Sequence, residues 1–371
     1  MFSHLLSDKN VNCGRQYAFD ICRAIAIILM ILCHVFYTMN YTAPATLNPA
    51  YIAHNAVRFL GAQCFMFCMG LGLAYSKNTS AEYCAKRGCK LILSGYMLNF
   101  LCIVLPWMII GESHIFGTFV DNKYLMGLCC DILQFAGLAL IFVAIVKHFK
   151  WSDITTFIIT LCITAIGVFC NDKISLVLTP EHFYYSFIGL LIPVKNFITS
   201  EYVCFSFCNW IIYPVTGWLF GKMLKRCLNP NKLYLYILGI SLPLFILAWG
   251  VFNLMGKNIW IVLMDPVIYH QQTPLFLIIY LDIIMIALSL AHFISDYLVR
   301  FKIWNIIKHL STEILTLYIV SWIAIGWFSA VLKYMNKSLS YSLCNVLFVF
   351  VFVFVVSEIY ICLKKRLKQN L

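Results

Sequence analysis

The chain has 371 residues, of which 62% are hydrophobic and only 11% charged, and its mean hydropathy is +0.87. A soluble domain carries about 25% charged residues, so this composition excludes a water-soluble globular protein and predicts an all-α polytopic membrane protein, one transmembrane domain over residues 1–371. The net charge of +12 is no nucleic-acid signature, because the basic residues gather in every second loop and not along one stripe.

In chain order, residues 1–19 form an N-terminal segment too polar for a cleavable signal. No A-x-A site follows the first apolar run, so Met1 is expected to stay attached. Ten apolar stretches, each near the ~20 residues a bilayer demands, predict spanning helices over 20–39, 56–76, 89–111, 124–146, 154–171, 202–221, 234–254, 274–295, 311–332 and 341–363. Residues 183–194, inside the long outer loop 172–201, are apolar but short; they predict a re-entrant or interfacial piece, or an eleventh helix. A basic tail, 364–371, follows the last span. Twenty of the 27 lysines and arginines fall in the termini and alternate loops of one side, which predicts cytoplasmic N- and C-termini and an even helix count. The 17 cysteines form no CxxC pair and no Cys/His zinc spacing. They read as small core residues, and no metal is expected.

The stretch from Asp20 to His34 concentrates the chemistry. A charged group at the centre of a membrane helix costs about 2.5–3.5 kcal/mol, yet this one carries Asp20, Arg23 and His34. The eleven-residue step from Arg23 to His34 leaves only about 20° of rotational offset and about 16 Å of rise. Both side chains therefore share one stripe, and Asp20 sits almost a turn below Arg23. Counted along their predicted helices, Asp131 and Asp282 reach depths similar to that of His34. A carboxylate on one imidazole nitrogen raises the basicity of the other, which suits a general base. Gln134, one turn from Asp131, could add a hydrogen bond.

Arg23 at the cytoplasmic mouth, with Lys86 and Arg87 on the next loop, could receive an anionic cofactor, because guanidinium groups match phosphate geometry. The bland alternatives are a snorkelling ion pair with Asp20 and ordinary flanking charge. His54 and Arg58 lie in the first outer loop, where His54 is the second-choice base. Glu112, His114, His182 and His270 occupy outer loops and could shape an acceptor site. No GxSxG, P-loop, HExxH or GxGxxG pattern is present.

The first-helix pattern Asp20-x-x-Arg23-Ala24-x-Ala26-x-x-x-Met30-x-x-x-His34 resembles that of the heparan-alpha-glucosaminide N-acetyltransferase family and its bacterial relatives. It contains Arg-x10-His, the signature of the related acyltransferase 3 family. The second-helix element Gly61-x-x-x-Phe65-x-Phe67-x-Met69-Gly70 is similar to the former family's, as are Asp131–Gly137, Trp210–Gly217 and Ser311–Trp322. Ala24 replaces a glycine. The animal lysosomal enzyme has asparagine where His34 stands and a histidine in its first lumenal loop, a position that His54 resembles.

The resemblance implies transfer of an acetyl group from cytoplasmic acetyl-CoA to an amine or hydroxyl of a carbohydrate acceptor on the outer face. In that reading Arg23, Lys86 and Arg87 hold the CoA phosphates, His34 or His54 is the base, Asp131 assists it, and Asp282, His270 and Arg58 face the acceptor. Membrane lipids and the glycan acceptor are the partners, with a homodimer allowed and no nucleic acid. The expected location is a bacterial cytoplasmic membrane. The rival reading is a proton-coupled transporter or flippase of a sugar or lipid-linked glycan, with a relay through His34, Asp131 and Asp282. The charge layout itself is checked by a reporter fused after residue 369: a fluorescent protein there folds and fluoresces and a periplasmic phosphatase stays inactive, whereas the reverse pattern contradicts the orientation.

Overall fold

The computed structural model describes residues 5–38, 61–111, 127–170 except 129, 188–192, 205–256, 272–332 and 339–369. Among these residues every regular element is a helix and no strand is present, as the sequence predicts. Among the described residues, seven helices are long and apolar enough to cross a membrane.

The helices are α1 (Tyr17–Thr38), α2 (Ala62–Ala74), α3 (Ala81–Asn99), α4 (Leu105–Ile110), α5 (Ile132–His148), α6 (Asp153–Cys170), α7 (Phe207–Trp210), α8 (Ile212–Arg226), α9 (Pro230–Leu254), α10 (Pro274–Leu298), α11 (Ile303–Thr312), α12 (Ile314–Leu332) and α13 (Leu339–Gln369). Residues 188–191 make a helical turn within the stretch read as re-entrant. α1 is central: α2, α10, α11, α12 and α13 all pack on it. α9 and α13 are peripheral, and Leu235, Leu247, Leu347 and Val351 turn outward from them, as lipid-facing side chains must.

Three predicted spans differ in detail, each for a local reason. The third begins at Ala81, because Ser80 accepts a hydrogen bond from the Tyr83 amide as an N-cap, and it runs to Ile110 through a π turn at Phe100–Val104. Pro106 explains that turn: it has no N–H to give the Cys102 carbonyl, and its ring crowds that oxygen. The fourth starts at Ile132 and not near 124, because Asp131 is its N-cap. Asp131 is therefore at a helix mouth, not seven residues inside. The ninth, predicted from 311, begins at Ile314, and a separate helix, α11, precedes it, the two parted at Glu313.

Close packing is set by missing side chains. A Cβ on Gly70 of α2 would strike the Pro214 carbonyl of α8, and one on Gly217 of α8 would strike that of Phe67. α2 and α8 thus lie backbone against backbone, as small residues permit in membranes. Gly326 of α12 meets the Cys102 carbonyl in the same way, so the oxygen freed by Pro106 is covered by a glycine. At the end of the bundle where α1 begins, residues 5–12 lie along the end of α8. Ser7 N–H donates to Arg226 O at 2.8 Å, Leu228 N–H to Leu5 O at 2.8 Å, and Asn12 Nδ2 to Leu224 O at 3.2 Å. The strap satisfies carbonyls that a helix end leaves open.

Overpacking a tight crossing costs about 1–3 kcal/mol, so Gly70→Ala and Gly217→Ala are expected to lower the detergent melting temperature sharply. Gly239 and Gly250 of α9 have open space around them, and alanine there is expected to be neutral or to stabilise by about 0.5–1 kcal/mol. Equal melting shifts at both pairs of sites would contradict the packing described.

Candidate active site

Asp20 opens the site. It is 4% exposed, and both carboxylate oxygens are taken: Arg15 Nε donates to Oδ2 at 2.5 Å and Ser311 Oγ donates to Oδ1 at 2.6 Å. The expected Asp20–Arg23 pair is therefore not the arrangement adopted. Arg23, three residues on, has no ion pair among the described residues; its guanidinium lies over the Phe19 ring, 5.1 Å from the centroid.

Arg23 opens into a cleft of about 260 Å³ lined by Phe19, Phe65, Cys68, Ser76 and Arg87 among others. α1 supplies Phe19 and Arg23, α2 supplies Phe65 and Cys68, and α3 supplies Arg87. Ser76 follows the end of α2. The cleft therefore lies at the end of the bundle where α1 starts, α2 stops and α3 starts, beside the basic ends of α5 and α8. Two guanidiniums beside an aromatic ring are groups whose charge and geometry suit a phosphorylated ligand. Lys86 does not join them: it is exposed and pairs with Glu82 one turn back.

His34 lies near the other end of α1. Its Nδ1 is buried and has no hydrogen-bond partner among the described residues. The imidazole lies against Trp322 of α12, ring centroids 4.1 Å apart at 38°. One turn along α12, Tyr318 packs edge-on to Trp322 at 6.5 Å and donates its hydroxyl to Asp131 Oδ2 at 2.7 Å. Asp131 is held in turn by a capping box, in which its own amide donates to Gln134 Oε1 at 3.2 Å. So Asp131 and His34 do come to one neighbourhood, but Tyr318 and Trp322 stand between them.

Phe65 links the two ends. It lines the arginine cleft and also packs on Tyr318, centroids 6.5 Å apart. An aromatic line of Phe65, Tyr318 and Trp322 thus runs from the cleft to the imidazole.

Asp282 on α10 is 7% exposed; Ser241 of α9 faces its carboxyl, and Oδ2 has no partner among the described residues. No described contact joins Asp282 to His34 or Asp131. His54, Arg58 and His270, with Glu112, His114 and His182, lie outside the described residues. Among the described residues no group of three His, Cys, Asp or Glu could hold a metal ion.

The sequence assigns no site role to Arg15, and Phe65, Ser311, Tyr318 and Trp322 enter it only within stretches that resemble the family. The D-x-x-Q spacing of Asp131 and Gln134 is a capping signature that could have placed Asp131 at a helix start. The i, i+4 spacing of Tyr318 and Trp322 could have put both rings on one face. Nothing local marks Ser311, whose partner is 291 residues away.

A family model described as heparan-alpha-glucosaminide N-acetyltransferase, catalytic, matches residues 15–249. The matched region holds Arg15, Asp20, Arg23, His34, Phe65, Arg87 and Asp131, and ends before α12. No curated protein sequence matches the chain.

Tyr318→Phe removes the donor to a buried carboxylate, a loss of about 1–3 kcal/mol. Its melting temperature is expected to fall, and Asp131→Asn on top of it to add less than it does alone, because the two share one hydrogen bond. Strict additivity in that double-mutant cycle would contradict the coupling.

Proposed function

Because the chain belongs to the heparan-alpha-glucosaminide N-acetyltransferase catalytic family, whose members are membrane acyltransferases, we propose that it transfers an acetyl group from cytoplasmic acetyl-CoA to an amine or hydroxyl of a carbohydrate on the outer side of a bacterial cytoplasmic membrane. The observation that carries this reading is the pairing along α1. A guanidinium with no ion pair among the described residues opens into a cleft at one end. A half-buried imidazole whose Nδ1 has no partner among the described residues lies eleven residues further, about 16 Å along the axis. An acyl thioester on a phosphopantetheine arm has this shape, phosphates at one end and reacting carbon far from them.

The residues fit such a donor. Arg23 and Arg87 hold phosphates, each by paired N–H donors, and the Phe19 ring offers a face to a nucleotide base. When bound, the thioester supplies an activated acyl carbon. His34 takes the proton from the acceptor nitrogen or oxygen as that atom attacks, the step a neutral imidazole performs near neutral pH. Trp322 fixes the imidazole plane, and the Tyr318–Asp131 hydrogen bond fixes Trp322's helix. Donor and acceptor held together need no acyl-enzyme, because proximity alone supplies several kcal/mol of barrier lowering. His54, Arg58, His270 and Asp282 remain proposals for the acceptor side, and His54 remains the alternative base. Lys86, exposed and outside the cleft lining, is proposed only to attract the anion.

Purified protein with radiolabelled acetyl-CoA and a panel of amino sugars and glycans is expected to place label on an acceptor. A lost charge-assisted hydrogen bond is worth about 1.5–3 kcal/mol, so Arg23→Gln should raise KM for acetyl-CoA at least about tenfold with kcat retained. Loss of a general base costs about 10²–10⁴ in rate, so His34→Ala should lower kcat with little change in that KM. Acceptor crossing the membrane without label would favour the transporter reading, to which the unpartnered Asp282 oxygen gives some support, and would sink the enzyme.

A further inference from the structure

The corner where α10 gives way to α11 presents charge and apolar surface that the proposed acyl transfer does not use. Between residues 290 and 312 the chain carries Arg300, Lys302 and Lys308 against a single acid, Asp296. Arg300 and Lys302 are exposed, and neither is ion-paired among the described residues. Around them Tyr297, Phe301, Ile303 and Ile306 are exposed as well. The Tyr297 and Phe301 rings lie against each other, centroids 4.7 Å apart.

α11 suits a membrane surface and not a membrane crossing. Its ten residues rise only about 15 Å, half the hydrocarbon thickness of about 30 Å. Trp304 and Ser311, seven residues apart on α11, meet Tyr17 and Asp20, three residues apart at the start of α1. About 10 Å of α11 thus spans about 4.5 Å of α1, so α11 crosses the first turn of α1 and does not run beside it. Trp304, Leu310 and Ser311 are buried against the protein, whereas Asn305, Lys308 and Thr312 are exposed on another side. Ile303 and Ile306 share a third flank with Lys302, which stands one turn from Ile306. Short helices with an apolar flank and basic residues beside it lie in the headgroup layer, the level that tyrosine rings also favour.

We propose that the α10–α11 corner is a seat for an acidic phospholipid. Arg300 and Lys302 hold the headgroup phosphate, and Ile303, Ile306 and the Tyr297–Phe301 pair lie along the upper acyl chains. The occupant is a lipid and not a soluble phosphate, because a free anion would leave the adjoining apolar surface uncovered. Basic groups at a membrane surface attract acidic lipids. Ser311, at the far end of the same helix, donates to Asp20, so a lipid that steadies α11 also steadies Asp20's partner. The seat rests on this geometry and not on the identity of the acyl donor.

The test titrates the full-length protein in detergent with phosphatidylglycerol, with phosphatidylcholine of the same chains, and with glycerol phosphate. Bound lipid is counted by native mass spectrometry, and the melting temperature is read in parallel. Phosphatidylglycerol is expected to bind on the order of tenfold more tightly than phosphatidylcholine and to raise the melting temperature, and glycerol phosphate to do neither. Arg300→Gln combined with Lys302→Gln should abolish the preference and leave the lipid-free melting temperature unchanged. Lys364→Gln combined with Lys365→Gln, which removes the same charge from the end of α13, should keep it. Equal binding of the two lipids, a preference that survives loss of Arg300 and Lys302, an equal loss from the α13 pair, or a shift with glycerol phosphate alone would overturn the proposal.

Discussion

Asp20 accepts from Arg15 at one carboxylate oxygen and from Ser311 at the other, and this pairing decides what Arg23 is left to do. An acid three residues before an arginine would ordinarily neutralise it across one helical turn. Here the acid is saturated from outside the helix: Arg15 comes from the N-terminal segment, and Ser311 comes from the end of α11. Arg23 keeps its charge facing the cleft, with the Phe19 ring beneath it. The two hydrogen bonds also fix the start of α1 to the strap and to the α11–α12 junction, so the helix that carries both functional ends cannot rotate freely.

The rest of the bundle sets depth and distance. α2 can bring Phe65 and Cys68 to the cleft because Gly70 and Gly217 let it lie directly on α8. α12 can bring Tyr318 and Trp322 across to Asp131 and His34 because Gly326 accepts the carbonyl that Pro106 leaves free. In a bilayer no hydrophobic force drives helices together, so such contacts carry the association. The polar groups of the site are held by packing that the polar residues themselves do not provide.

Much of this was legible in the sequence. The apolar runs located the helices, although the third starts at Ala81 where 89 was predicted and the fourth at Ile132 where 124 was predicted, and the placing of Arg23 and His34 on one stripe of α1 follows from helical periodicity alone. The shared cleft of Arg23 and Arg87 could be suspected from their flanking positions, although Lys86 sits beside Arg87 in sequence and points elsewhere. What was hidden depends on long-range contacts or on local geometry that hydropathy does not register. Asp131 reads as a mid-helix carboxylate because the run around it is apolar, whereas its capping box puts it at a helix mouth. Tyr318 and Trp322 look like ordinary packing aromatics until α12 is laid against α1.

The central claim is that one ligand lies along α1, held by Arg23 at one end and meeting His34 at the other. The most direct measurement is a structure of the full-length protein with a non-transferable acetyl-CoA analogue. The account requires phosphate oxygens within hydrogen-bond distance of Arg23 and Arg87, the analogue's acyl carbon beside the His34 imidazole, and Asp20 still bound to Arg15 and Ser311. An analogue bound elsewhere, or Arg23 turned away from it to pair with Asp20, would contradict that account.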